Sequence, residues 1–172
     1  MSIYDSTIPV FEQLLSALSA ILDKARTHAE GRKIDASAFT AARLRPDMFT
    51  FARQVQAACD WAKNIGARLA GVEPPKFEDN EATFDELKAR IAKTLDYLRG
   101  LKRQDVDAGA DRDVVFPLGP NKMKMKGSNY VSHLGLPNFY FHLTTAYDIL
   151  RHNGVEIGKR DFLGAPPGVS PA

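Results

Sequence analysis

The chain has 172 residues, 44% of them apolar and 26% charged, a length and balance that suit one globular domain with its own core. A formal charge of +2, spread along the chain, excludes the concentrated basic surface that nucleic-acid binding requires. The single cysteine, Cys59, rules out an intrachain disulfide and any multi-cysteine zinc site, and fits a reducing, cytoplasmic setting.

Asp5 and Glu12 stand where a signal peptide would need a basic region, and no segment forms a bilayer-spanning apolar run, so neither export nor membrane insertion is expected. The first helical pattern covers residues 8–28. Phe11, Leu14, Leu15, Leu18, Ile21, Leu22 and Ala25 recur at three- and four-residue steps, Thr7 is placed to cap, and Gly31 to stop. A second helix is expected from Pro46, with Phe49, Ala52, Val55, Cys59, Ala62, Ile65 and Leu69 on one side and Gly71 followed by Pro74-Pro75 as its end. Thr83 and Glu86 have the spacing of a capping box, and Leu87, Ile91, Leu95, Leu98 and Leu101 follow in register as a third helix.

The helical period breaks over residues 104–136. Val114-Val115-Phe116, a turn region at Pro117 to Pro120, and the alternation Lys122-Met123-Lys124-Met125-Lys126 read as a β-hairpin whose methionines cover the core. The three lysines could instead meet an anion. The last helix is expected from Pro137 to His152, with Phe139, His142, Leu143, Ala146, Ile149 and Leu150 inward and Gly154 as its stop. The Gly- and Pro-rich tail reads as an extended strap with a disordered end. The fold class that follows is all-α: a four-helix bundle with a short β-hairpin insertion before the last helix, in one domain over residues 1–172.

Residues 138–155, which read NFYFHLTTAYDILRHNGV, followed by Gly158-Lys159-Arg160-Asp161-Phe162, closely resemble the C-terminal signature of a bacterial family of unknown function. Met48-Phe49, Gln54-Val55-Gln56 and the run Ala67 to Gly71 extend the resemblance into the second helix, and Phe84, Glu86-Leu87 and Arg90-Ile91 into the third. That family looks like a distant relative of the DinB-like and YfiT-like proteins, which implies an up-down four-helix bundle and a superfamily that includes metal-dependent enzymes, some of them thiol transferases. The superfamily binds its metal through one His on the second helix and a His-x-x-x-His pair on the last. Here Ala146 stands four residues after His142, and Cys59 and Asp60 occupy the region of the second-helix His, so the triad is broken.

His142, on the inward face of the last helix, is a candidate ligand-binding residue, a proton-transfer group or a hydrogen-bonded core histidine. Tyr147 and Lys159 are the other candidate ligand-binding residues; Tyr147 shares the last helix with Tyr140, Asp148 and Arg151, whose alternative is ordinary packing and surface pairing. Lys159, with Arg160 and Asp161, could clamp a small anion or dock the tail. No metal or other cofactor is expected; a metal, if bound, would engage His142 with Asp60 or His28. Cys59 reads as a packed, inert thiol on an apolar stripe.

Three functional readings follow. The first is a bundle that binds a small molecule in a pocket near His142, the second a divergent metal-dependent transferase or hydrolase needing three converging ligands, and the third a homodimeric interaction protein. Phe51, Trp61 and Phe141 lie off the main stripes and are the residues expected at a pairing surface.

Overall fold

Helix ends follow local capping chemistry. In the computed structural model, which describes residues 2–170, α1 (Ile8–Arg32) carries Pro9 in its first turn. It runs through Gly31 and ends where Lys33 turns left-handed at φ 56°, the N–H groups of Lys33 and Ile34 closing on the Glu30 and Ala29 carbonyls. Thr7 does not cap this helix with its side chain; its hydroxyl donates backwards to the Ile3 carbonyl at 2.6 Å.

After the single turn α2 (Ser37–Thr40), α3 spans Phe51–Ala70. It starts later than Pro46 because Thr50 supplies the acceptor that proline lacks: its side chain takes the Arg53 N–H at 3.2 Å. Phe49 is thereby left outside the helix and 48% exposed, while Phe51, expected at a surface, is fully buried in the first turn. Gly71, at φ 75°, ends α3. α4 (Phe84–Arg99) begins with the expected capping box, Thr83 accepting from the Glu86 N–H at 3.2 Å and Glu86 from the Thr83 N–H at 2.9 Å.

A short α5 (Arg103–Asp107) leads to the hairpin of β1 (Asp113–Leu118) and β2 (Asn121–Lys126), antiparallel with Val114 opposite Met125 and Phe116 opposite Met123. Val114 and Phe116 are buried; Met125 is half-buried and Met123 exposed, so the methionine face covers the core at one position only. α6 (Gly127–Asn129), a π-helical segment (Tyr130–Gly135) and α7 (Leu136–His152) then form one unbroken helical run. The tail is not wholly extended, since α8 (Lys159–Leu163) folds onto α1. The expectation for the very end of the chain falls partly on residues 171–172, outside the described residues.

The four long helices share one core. α3 packs on α7 and α4, and α1 on α4 and α8. Leu15, Leu18 and Leu22 of α1 meet Val55, Ala62 and Ile65 of α3, Leu87 and Ile91 of α4, and Leu143, Ala146 and Ile149 of α7 in a single apolar cluster. The Phe11 and Phe139 rings meet edge to face at 4.7 Å. Among the described residues, no helix is long and apolar enough to cross a membrane.

Two features fix what surrounds this core. A Cβ at Gly109 would strike the Leu69 backbone, and one at Gly127 would strike the Gly109 carbonyl, so two glycines let the foot of the hairpin sit against the end of α3. Between α3 and α4, Arg90 of α4, with a side chain 1% exposed, reaches Asp60 at 2.8 Å, Asp79 at 2.9 Å and Glu81 at 3.1 Å. Lys63 adds contacts to Asp60 at 3.0 Å and to the Pro75 carbonyl at 2.7 Å. This network ties the irregular link between α3 and α4 to both helices.

Candidate functional site

A cavity of about 250 Å³ lies between α3, the hairpin and α7. The outer face of α3 forms its floor: Arg53, Ala57, Asp60, Trp61, Asn64 and Arg68 recur at three- and four-residue steps and so lie along one side of the helix. Phe116 and Pro117 of the hairpin and Phe49 from the loop before α3 form walls, and His142 of α7 closes the site.

His142 is 8% exposed, and its Nδ1 lies 2.7 Å from Oε1 of Gln54, itself 1% exposed. An amide oxygen only accepts, so Nδ1 carries the proton and Nε2 keeps the lone pair. Burial, reinforced by the nearby Arg53 cation, pushes the His142 pKa below its usual value and keeps the ring neutral at pH 7. Phe49 stacks on this imidazole at 6.2 Å and Phe141 meets it edge-on at 5.3 Å. The result is a neutral imidazole held in one tautomer, with aromatic rings on two sides.

The charged groups of the floor differ in their partners. Asp60 is neutralised by Arg90 and Lys63, and Arg53 is paired with Asp79 at 2.6 Å. Arg68 instead donates to the hydroxyl of fully buried Tyr130 at 2.6 Å and lies over that ring at 5.7 Å. Tyr130 is held in turn by Phe116, 5.2 Å away between ring centres. Burial pushes the Tyr130 phenol up, so it remains neutral beside the guanidinium.

Of the residues singled out from the sequence, His142 and Asp60 come together in this cavity. His28 lies in a separate recess with Asp23, Lys24 and Glu156, its ring against Phe39 at 5.8 Å. The Tyr147 hydroxyl donates to the Ile157 carbonyl at 3.4 Å and its ring packs on Phe162, while Lys159 is exposed at the start of α8; neither lines the cavity. Cys59 is fully buried behind the floor, and burial pushes its thiol up to about 12, which leaves it protonated and unreactive.

The donor set around His142 does not fit a divalent metal. One imidazole is present, the one carboxylate of the lining, Asp60, is held by two cations, and two guanidiniums share the space. Among the described residues no group of three His, Cys, Asp or Glu side chains is placed to hold a metal ion. Gln54, Arg53 and Arg68 are placed beside His142; the sequence marked Gln54 and Arg68 only as part of the family resemblance and none of the three as a site residue. Two arginines on the polar side of an amphipathic helix read as a solvated face, and only the hairpin folding back over that face encloses them.

Comparison with known proteins adds the family. A crystal structure of a DinB family member protein from Shewanella denitrificans is 44% identical to this chain, with a TM-score of 0.91 over 98% of this chain and 96% of that one. This likeness establishes the DinB-like relationship that the sequence implied. No curated protein matches the chain. The family model described as a domain of unknown function, DUF1993, matches residues 3–163, nearly the whole length. The chain is therefore a member of the DUF1993 family, with a mostly helical, DinB-like fold.

Proposed function

We propose that this protein binds a small molecule in the cavity beside His142, between α3, α7 and the hairpin. The observation that carries the reading is the buried Gln54–His142 pair. It commits Nδ1 to the protein and leaves Nε2 as a lone-pair acceptor on a side chain that lines a partly apolar cleft. Of the two ring nitrogens, Nδ1 has its protein partner in Gln54, and Nε2 has none among the described residues. The reading places the cavity in an up-down four-helix bundle, an architecture that builds ligand sites from side chains on facing helices. Ligand capture would then use Nε2 as acceptor and Phe49, Trp61 and Phe116 as apolar surface.

A fluorescent neutral probe, N-phenyl naphthylamine, tests this. Bound fluorescence is expected in the wild type and its loss in Asn64→Trp, which fills the cavity from the exposed side of α3 without touching the core. Equal binding to both proteins would overturn the reading.

Association of two copies is a second reading, favoured by one observation: Phe49 and Phe141, 48% and 54% exposed, flank His142 and form an apolar rim. Light scattering that returns the single-chain mass of 19.0 kDa at high concentration excludes it.

A further inference from the structure

The cavity beside His142 does not end at the hairpin. Arg68, Phe116 and Pro117 also line a second cavity of about 500 Å³, which runs on past the end of α3 to Gly71, Pro74 and the foot of the hairpin at Arg112 to Val114. The two are halves of one groove with Arg68 at the junction.

The charges along this groove do not balance. Beside His142, the lining charges Asp60 and Arg53 belong to a network in which Asp60, Asp79 and Glu81 meet Arg53, Lys63 and Arg90, three and three. Arg68 stands outside it and has only the neutral Tyr130 hydroxyl as a partner among the described residues. In the outer half, Asp113 is held by Lys124 at 3.2 Å and Lys126 at 2.9 Å. Arg112 gives its guanidinium to the Leu69 carbonyl and has no carboxylate partner among the described residues; Lys122 is exposed. Glu73 is the one other carboxylate of the lining and is outnumbered by Arg68, Arg112 and Lys122.

A half-buried guanidinium held in place by a neutral hydroxyl keeps its full charge and its remaining N–H donors for something else. Its planar fork matches an oxyanion, and the low-dielectric wall of Phe116 and Pro117 strengthens that attraction relative to open water. Extending the ligand-binding reading above, on which this rests, we propose that the occupant is a small organic anion. Its apolar, planar body lies along Phe116 and Pro117, and its carboxylate or other oxyanion is taken by Arg68. Arg112 and Lys122 draw the anion in from the open end.

Two probes of the same aromatic shape separate charge from shape: anilinonaphthalene sulfonate and the neutral N-phenyl naphthylamine. Arg68→Gln removes the cation and retains a donor for the Tyr130 hydroxyl. It is expected to weaken the sulfonate at least about tenfold while moving the neutral probe less than about twofold. Equal losses for both probes, or none for the sulfonate, overturn the proposal. Should that variant fail to fold by circular dichroism, the wild type decides: naphthoate is expected to displace the neutral probe at a concentration about tenfold lower than its uncharged isostere naphthamide. Equal potency overturns the proposal. If Asn64→Trp leaves both probes bound, the site itself is wrong. If it removes both but Arg68→Gln spares the sulfonate, only the anion is wrong.

Discussion

His142 is held neutral by burial and by Arg53, and this has a thermodynamic consequence that can be measured. Its folded pKa lies below the 6.5 of an unfolded histidine, so across the interval below 6.5 the unfolded chain binds more protons than the folded one. Stability must therefore fall as pH drops through that interval. His142→Asn keeps a polar group beside Gln54 and removes the titration. Urea unfolding at a series of pH values is expected to show the wild type losing its advantage over the variant as pH falls below 6.5. A constant difference would show that His142 does not titrate differently in the two states. Arg90 illustrates the opposite solution at the same scale: it is more deeply buried yet charged, and three carboxylates compensate the charge.

At the scale of elements, α4 starts where a reader of the sequence would place it, since the Thr83 and Glu86 capping box is a local device that needs no tertiary context. Thr83→Ala removes the side-chain acceptor and is expected to cost about 1 kcal/mol in unfolding free energy, read as a shifted denaturation midpoint with unchanged slope. The stripes of α1 and α7 were equally legible, and those of α3 and the hairpin in part, because periods of 3.6 and 2 are written directly in the order of apolar residues; Phe49, Phe51 and Met123 fell on the wrong side. The run from Gly127 to Gly135 was not. Its π-helical turns have a period outside both templates, Gly127 and Gly135 weaken helix propensity, and Pro137 signals a fresh start. Gly135 has a tertiary reason for being there: a Cβ would crowd the Ile65 side chain at 2.8 Å.

Over the whole molecule, the site was legible only as far as one residue could carry it. His142 stood out because an imidazole on an inward helical face needs partners. Gln54 lies 88 residues away in sequence, and the arginines gain their meaning from a hairpin that covers them, which is long-range information. That covering depends on the contact among Leu69, Gly109 and Gly127. Gly127→Ala is expected to cost about 3 kcal/mol, the upper end for overpacking, because backbone rather than a flexible side chain stands in the way. The same change at Gly31, where a Cβ meets nothing within 4 Å, is expected to be harmless or mildly stabilising in a thermal melt.

The hairpin is anchored at its foot and free at its tip. Gly119, at φ 59°, has no neighbour within 4 Å of a would-be Cβ, and Leu118 is 55% exposed, whereas Val114 and Phe116 are fixed in the core. Residues can therefore be added or removed at the turn without disturbing the helices. Such changes would lengthen or shorten the hairpin beyond Phe116 and Pro117, which wall the half beside His142, and leave the half at the foot, lined by Arg112, Asp113 and Val114, intact. If the proposed site binds a ligand, a single scaffold is thereby open to occupants of different length by changes at the turn alone.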